Sequence, residues 1–105
     1  MPKQSLNFKQ LRKANSKRNQ TAFDCQDWTP LEWGGAMAGE CGEACNLLKK
    51  LRRDKKIDIK EIAHELADVV VYTDLLAWKL GIDLGEAVRE KFNIVSKRKK
   101  SFIRL

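Results

Sequence analysis

The sequence predicts a small all-α protein, a four-helix-bundle-like domain, and three observations lead to this prediction. The chain has 105 residues, which is the length of one domain with a single core. Helix-start signals recur along it, whereas no convincing alternation of apolar and polar residues indicates a strand. Apolar residues make up 43% and charged residues 33%, as in ordinary globular domains. We therefore treat 1–105 as one domain, with a basic N-terminal segment at 1–20 and core helices over 29–102.

Three helix starts share one chemical pattern, in which an oxygen-bearing side chain stands three residues before a glutamate. In this capping box the oxygen accepts a hydrogen bond from an amide that the first turn leaves free. The pattern occurs at Thr29, Asp58 and Asp83, and Pro30 occupies the first helical position after Thr29. Gly81 is expected to end the second of these helices. The three helices are predicted over 29–53, 58–80 and 83–102.

A further helix is predicted before these three. It begins after Ser5 and continues towards Asn19, because Leu6, Leu11 and Ala14 can share part of one face. The run VVVY in the second core helix is β-prone in isolation, but the apolar spacing around it favours a helix. The chain is thus expected to contain four helices.

The termini and the cysteines indicate a compartment. No apolar run approaches the ~20 residues that cross a bilayer, and the start MPKQSLNFKQ lacks the apolar segment of a signal peptide. Three cysteines at irregular spacing form a poor disulfide framework and suit a reducing environment. We therefore expect a cytoplasmic protein with no membrane partner.

The net charge of +7 is concentrated at the two ends of the chain. The segments 1–20 and 97–105 together carry +11 and no acid, whereas the remainder carries −4. Basic ends of this kind suggest one alternative function, a helical module that binds nucleic acid. Solvated helix faces explain the same charges more simply, so nucleic acid is not the partner that the sequence favours.

Two pairs of carboxylates lie on consecutive predicted helices. In AMAGECGEACNLL, Glu40 and Glu43 are three residues apart and project from one side of a helix. Glu65 and Asp68 repeat this spacing on the next helix, and none of the four has a basic residue four positions later. Such a group repels itself unless a cation lies between its members. Oxygen ligands without histidine or cysteine suit Mg²⁺ or Mn²⁺, which in proteins commonly hold a phosphate-bearing substrate.

Several neighbouring residues are candidates for supporting roles. Lys50 lies one helical repeat after Glu43, where its charge could stabilise a phosphate. Trp33 lies two turns before Glu40 and could stack on a base, although a core or interface position also explains a helical tryptophan. Trp28 stands directly before the first capping box, where a hydrophobic staple explains it.

A second alternative function arises from the one histidine of the chain. Glu61 and His64 form a Glu-x-x-His fragment, which di-iron helical bundles use to bind their metals. One chain supplies a single copy, so a di-iron enzyme would need a symmetric dimer. Cys41 and Cys45 lie among glycines and alanines and are expected to pack in a tight helix contact.

The helix expected over 58–80 indicates oligomerisation, because it carries apolar residues on more than one side. The stripe from Ile62 to Leu80 is joined by Val70 and Leu75, among others. One partner helix cannot cover that width, and a second subunit covers it most easily at this chain length. We therefore expect a homo-oligomer, either a dimer or a tetramer.

The stretches GECGEACNLLKKLRR and ELADVVVYTDLLAWKLGIDLGEAVREKFNIVSKR combine an ExxE motif with a following ExxD motif. In this they resemble the MazG-like branch of the all-α nucleoside triphosphate pyrophosphatases, over about residues 28–98. The resemblance implies Mg²⁺-dependent hydrolysis of a (deoxy)nucleoside triphosphate to a monophosphate and pyrophosphate, a role in nucleotide-pool cleansing, and a dimer or tetramer. In such a reaction a carboxylate can orient the attacking water or accept its proton.

The same resemblance implies roles for individual residues. Glu40 and Glu43 match the first pair of metal ligands, while Glu65 and Asp68 match the second. Tyr72, one turn after Asp68, occupies a position where related dCTP pyrophosphatases carry an aromatic residue. A histidine that precedes their base-pocket tryptophan has no match here, so the resemblance implies no base preference. The residues that match the phosphate-binding segment are Lys91, Asn93 and Arg98.

Overall fold

The computed structural model describes residues 4–53 and 56–105, which form four α-helices and, over those ranges, no strand. The all-α prediction is therefore confirmed, while residues 1–3 of the basic N-terminal segment lie outside the described part. None of the helices described has the length and apolar content needed to cross a membrane. The helices are α1 (Phe8–Ala22), α2 (Pro30–Arg52), α3 (Ile59–Lys79) and α4 (Leu84–Arg98).

Side-chain caps begin α2, α3 and α4 at the predicted residues. Thr29 accepts a hydrogen bond from the Glu32 amide, and Asp83 accepts one from the Glu86 amide. Asp58 caps α3 through the amide two residues later, at 2.9 Å. The starts are thus as predicted, because each cap satisfies an amide that the first turn leaves free.

α1 has its predicted position but not its predicted buried face. Asn7 begins it with a complete capping box, in which Asn7 and Gln10 each bond the other's backbone amide. The buried residues of α1 are Asn15 and Asn19, whereas Leu6 precedes the helix and is 72% exposed. The predicted apolar face is therefore wrong: α1 buries two asparagines, and Asn15 donates hydrogen bonds to the Val71 carbonyl and to Asp74 of α3.

Two helices end in a left-handed turn. Gly81, with φ of 70°, ends α3 as predicted, and Lys100, with φ of 59°, follows the end of α4. In both cases the next amide donates to a carbonyl five residues earlier, at 2.8 Å. α4 consequently stops at Arg98, earlier than the predicted 102. The chain then turns back, and Asn93 bonds both the amide and the carbonyl of Leu105.

α2 and α3 form the antiparallel pair that positions the candidate site. Trp33 near the start of α2 lies beside Tyr72 in the second half of α3, and Glu40 lies beside Glu65. α1 packs on α3, and α4 contacts α1 without closing a tight bundle. The site therefore depends on one helix pair, which the other two helices support from outside.

The single chain leaves much apolar surface uncovered. It exposes 8526 Å², whereas a compact monomer of this mass exposes about 6000 Å². Its radius of gyration of 16.3 Å also exceeds the about 13 Å of a compact domain of this length. On α4, Val88, Phe92 and Val95 are each more than a third exposed. These three side chains leave an apolar face of α4 open to solvent.

The tight helix contact predicted around Cys41 and Cys45 does not form within this chain. Both side chains are exposed free thiols, and a methyl group added to Gly39 or Gly42 would meet nothing within 4 Å. The prediction is wrong because α2 turns Ala44, not the cysteines, towards its neighbour. This side of α2 is open to solvent.

Candidate metal centre

Three of the four predicted metal ligands meet between α2 and α3. Glu40, Glu43 and Glu65 each offer one carboxylate oxygen, and these oxygens all lie within 4.8 Å of one another. The spacing of three residues places the first two on one side of α2, and the antiparallel packing brings Glu65 of α3 opposite them. The arrangement gathers formal negative charge in one place and needs either protons or a cation to offset it.

Asp68 lies beside this group rather than in it. Its side chain is exposed and borders a separate cavity of about 190 Å³ together with Tyr72 and Arg18. The charge of Asp68 is nevertheless close enough to contribute to the raised pKa of Glu40. The fourth predicted ligand thus flanks the group on the side that faces α1.

The environment of the cluster favours protonation of one carboxyl group. The pKa of Glu40 rises to about 7, first because a hydrogen bond with Glu65 stabilises the protonated form, then because of burial and the charges of Glu43 and Asp68. One oxygen of Glu40 and one of Glu65 are buried without a hydrogen-bond partner in the described part of the chain. Buried oxygens without partners are costly, so this pair has unused capacity for a proton or a metal ion.

A cavity of about 400 Å³ opens beside the cluster. Lys50 lines it, as expected from its position one helical repeat after Glu43, and its ammonium group forms no ion pair among the described residues. The cavity therefore places carboxylate oxygens beside a lysine that has no ion-pair partner among the described residues. Its lining residues are Glu43, Asn46, Leu47, Lys50, Glu61, His64 and Glu65.

The Glu-x-x-His fragment borders the same cavity. Glu61 and His64 both line it, but the group of three potential ligands found in the described part of the chain contains carboxylates alone. Glu61 belongs to the first turn of α3, where a negative charge also favours the helix N-terminus. The fragment is near the centre without being part of its tightest cluster.

An aromatic cluster adjoins the carboxylates. The ring centroids of Trp28 and Trp33 are 4.6 Å apart, which confirms the hydrophobic staple before α2, and Trp33 lies 6.2 Å from Tyr72. Trp33 is 2% exposed, which is the core position that the sequence analysis gives as the alternative to stacking: Trp28 and Tyr72 pack beside its ring. Trp28 and Tyr72 are half-buried and retain accessible surface.

Arg18 is a site neighbour that the sequence analysis missed. It lies on α1, with its guanidinium 5.6 Å from the ring centroid of Phe23, and it lines the cavity beside Asp68 and Tyr72. Burial raises the pKa of Tyr72, with the charge of Glu40 adding to the effect, while the charge of Arg18 opposes it. Nothing in the periodicity of α1 indicates this position, because it depends on how α1 packs against α3.

The three α4 residues of the predicted phosphate-binding segment do not reach the centre within this chain. Lys91 and Arg98 are exposed, and neither lines the cavity beside the carboxylates. Asn93 is occupied by its two hydrogen bonds with Leu105. α4 makes its main contact with α1 and not with the helix pair that carries the carboxylates, which explains the separation.

Comparisons with family models, with curated proteins and with solved structures find no match to this chain. The features of this chain that indicate a function are therefore the carboxylate cluster, the cavity beside it and the ExxE and ExxD motifs.

Proposed function

We propose that this protein is a Mg²⁺- or Mn²⁺-dependent nucleoside triphosphate pyrophosphohydrolase of the MazG-like type, which releases a nucleoside monophosphate and pyrophosphate. The observation that carries the proposal is the cluster of Glu40, Glu43 and Glu65, with its two buried oxygens that lack partners. The ExxE and ExxD motifs support the choice of reaction, because their order and spacing resemble those of that family.

The cluster fits a hard divalent cation. Mg²⁺ binds oxygen at about 2.1 Å, so two oxygens on opposite sides of it are about 4.2 Å apart. The three carboxylate oxygens lie within 4.8 Å of one another, which small side-chain adjustments bring into that range. Carboxylates without thiolate or imidazole also match the ligand preference of Mg²⁺ and Mn²⁺. Glu40, Glu43 and Glu65 would hold the ion, with Asp68 as the neighbouring ligand.

Other residues of the chain could supply proton transfer and charge stabilisation during phosphate hydrolysis. When bound, the metal ion would polarise the phosphate and acidify a coordinated water. The unpartnered oxygen of Glu65 or Glu40 can accept a proton from a water that attacks phosphorus. Lys50, which forms no ion pair in the part of the chain that the structure describes, can stabilise the charge of the departing pyrophosphate.

The aromatic side of the centre suits the nucleoside. Tyr72 lies close enough to Glu40 and Asp68 for their charges to raise its pKa. Trp28 and Tyr72 are half-buried and lie on either side of the buried Trp33. Arg18 faces the same cavity as Tyr72 and can donate to a sugar or base oxygen. The triphosphate would then extend from this aromatic side towards Lys50.

The working unit is proposed to be a homodimer or a dimer of dimers. The chain exposes roughly 2500 Å² more than a compact monomer of its mass, which is in the range that obligate dimers bury. Val88, Phe92 and Val95 share one face of α4 and form an apolar surface suited to a second copy. Such an assembly would bring Lys91 and Arg98 to a partner's carboxylates.

The decisive experiment is an assay of a panel of nucleoside triphosphates with Mg²⁺, in which the released phosphate species is identified. Pyrophosphate together with a nucleoside monophosphate is expected. Orthophosphate as the sole inorganic product would refute the proposed cleavage between the α and β phosphates. Absence of turnover on every nucleotide, with both Mg²⁺ and Mn²⁺, would refute the proposed activity altogether.

A di-iron enzyme is the second candidate, because Glu61 and His64 border the same cavity as Glu43 and Glu65. It predicts tight binding of iron and an absorbance change when oxygen is admitted to the reduced protein. It also predicts that His64→Ala abolishes metal binding. The pyrophosphohydrolase proposal predicts that His64→Ala retains Mg²⁺-dependent turnover.

A further inference from the structure

α1 carries a ridge of three lysines on its exposed side, which we call the lysine ridge: Lys9, Lys13 and Lys17. Their spacing of four residues places them on one face, about 6 Å apart along the helix. All three are exposed, and none forms an ion pair in the described part of the chain. No acidic residue occurs in α1 to offset them. Like charges at this spacing destabilise a helix, so the ridge favours a partner that carries repeated negative charge.

A cleft lies beside the lysine ridge. It has a volume of about 430 Å³ and is formed by the first half of α1, the end of α3 and the start of α4. Trp78 lines it and is half-buried, so part of its ring is accessible. Phe8 and Ile82 add apolar wall, and Lys9 and Lys13 border the opening. The cleft thus combines a flat aromatic surface with two ammonium groups.

The other charges around the cleft are largely engaged. Arg12 pairs with the buried Asp74 at 3.0 Å, so the two cancel. Asp83 also lines the cleft, and its carboxylate accepts the Glu86 amide at the start of α4. Asp83 keeps its charge, but Lys9 and Lys13 outnumber it, so the lining of the cleft has a net positive charge.

The cleft is separate from the candidate metal centre. Trp78 follows Glu65 by 13 residues on α3, which corresponds to about 20 Å along the helix axis. Neither the ridge lysines nor Trp78 lines the cavity beside the carboxylates. The cleft thus shares no lining residue with the cavity beside the carboxylates or with the cavity beside Asp68 and Tyr72.

We propose that the cleft and the lysine ridge bind single-stranded nucleic acid, with one unpaired base against Trp78 and successive phosphates on Lys9, Lys13 and Lys17. Proteins that bind single strands combine a positive surface along the backbone with aromatic side chains on which bases stack. The ridge extends over about 12 Å, which is longer than one nucleotide. Its charges recur at regular intervals, as the phosphates of a strand do. A duplex keeps its bases paired and could engage the lysines but not Trp78. A free nucleotide could enter the cleft but would leave Lys17 without a phosphate.

The test measures fluorescence anisotropy of a labelled oligothymidylate of about 12 nucleotides with the full chain, in EDTA, over a salt series. Binding should weaken steeply with salt. The slope of log binding constant against log salt concentration should steepen by about 0.7 for each phosphate contact on a single strand. The double variant Lys9→Gln/Lys13→Gln should lower the slope by about 1.4. Trp78→Leu should weaken binding about tenfold at unchanged slope, because it removes stacking and no charge.

A matched control variant distinguishes binding of the strand at the lysine ridge from general attraction of the strand to a basic protein. Lys56→Gln/Lys60→Gln removes the same charge from two exposed lysines at the other end of α3, and it should leave the slope unchanged. An equal loss of slope in both double variants would overturn the proposal in favour of diffuse attraction. Two further results would overturn the proposal. One is a duplex that binds as tightly as the single strand, and the other is thymidine monophosphate that binds as tightly as the oligothymidylate and displaces it.

The readout does not depend on the proposed hydrolysis, since EDTA removes divalent metal and the altered residues lie outside the centre. Circular dichroism should show unchanged helicity in every variant. If Trp78→Leu fails to fold, the two lysine variants and the comparison of strand with duplex still decide the outcome. No binding of the wild-type chain at low salt would refute the proposal directly.

Discussion

Arg12 of α1 and Asp74 of α3 form an ion pair that joins the N-terminal helix to the rest of the fold. Arg12 Nε lies 3.0 Å from Asp74 Oδ1, and Asp74 is 1% exposed. Asn15 Nδ2 donates to the other oxygen of Asp74 at 3.1 Å, and Arg12 also donates to the carbonyl of Ile82 at 2.9 Å. Both carboxylate oxygens thus have partners, which burial of a charge requires.

Arg12→Ala should therefore destabilise the protein. It leaves the buried Asp74 charge with Asn15 alone, and we expect a loss of about 2 kcal/mol in the free energy of unfolding, at the lower side for buried pairs because Arg12 is partly exposed. Arg89→Ala is the control, since it removes the exposed pair with Glu86 and should cost less than about 1 kcal/mol. Denaturant titration at one protein concentration measures both. Equal small losses would show that the pair does not secure α1.

Glu43→Gln should abolish most metal-dependent turnover without loss of helicity. Glu43 is one of the three clustered ligands, and replacing even an outer-shell partner of a metal ligand typically costs about 10–100-fold, so loss of the ligand itself should cost at least as much. Glu90→Gln is the matched control, because Glu90 is an exposed glutamate of α4 outside the cluster. Initial rates with saturating Mg²⁺ measure the effect. Similar rates for the two variants would contradict the assigned centre.

Stability of the metal-free protein should fall as pH rises through the titration of Glu40. The pKa of Glu40 is about 7 in the folded chain, against about 4.5 for a glutamate in an unfolded chain, so between these pH values the folded state holds a proton that the unfolded chain releases. The contribution of Glu40 to the free energy of unfolding is fully present below about pH 4.5 and is lost progressively as the pH rises to about 7. Thermal unfolding in EDTA should show this trend in the wild type and a flatter one in Glu40→Gln. In the wild type Mg²⁺ should counteract this fall, because a bound cation offsets the charge of deprotonated Glu40. An identical pH profile for the two proteins in EDTA would refute the raised pKa of Glu40.

Light scattering should give the mass of a dimer or tetramer. The apolar face of α4 is expected to form part of the interface, so Phe92→Glu should shift the chain towards its monomer mass of 12.1 kDa. Lys97→Glu changes a residue on the opposite side of the same helix and should leave the assembly intact. A wild-type mass of 12.1 kDa throughout a dilution series would refute oligomerisation.

Mixing two inactive chains tests whether a site draws on both subunits. Lys91 does not reach the carboxylates of its own chain, so a Lys91→Ala chain should complement a Glu43→Gln chain in a mixed dimer. Recovered turnover requires one intact site with Glu43 from one subunit and Lys91 from the other. Absence of recovery in verified mixed dimers would place every functional residue of a site within one chain.

Helix starts could be predicted from the sequence because a cap acts within one turn. Thr29, Asp58 and Asp83 satisfy nearby amides, and each stands where its helix begins. The end of α4 could not be predicted in the same way, since Lys100 rather than a glycine takes the left-handed conformation. The buried face of α1 was missed because Asn15 finds its partners on a helix more than fifty residues away.

The part of the candidate site that depends on spacing within a helix could be predicted from the sequence. Helical spacing places Glu40 beside Glu43, and the antiparallel packing of two consecutive helices adds Glu65. The rotation of α3 about its own axis determines whether Asp68 joins them, and motif spacing contains no information about that rotation. Arg18 depends on a third helix, so the sequence offers no local signal for its position beside Tyr72.

The polar attachment of α1 has a consequence for how the molecule opens. Hydrogen bonds are directional, so α1 holds one register on α3 or releases as a unit, whereas an apolar contact could slide. Its release would uncover the cavity beside Asp68 and Tyr72 while α2 and α3 keep the three clustered glutamates in place. Access to the carboxylate cluster can therefore change through sub-global opening of one helix, at a free energy below that of complete unfolding and without separating the three glutamates.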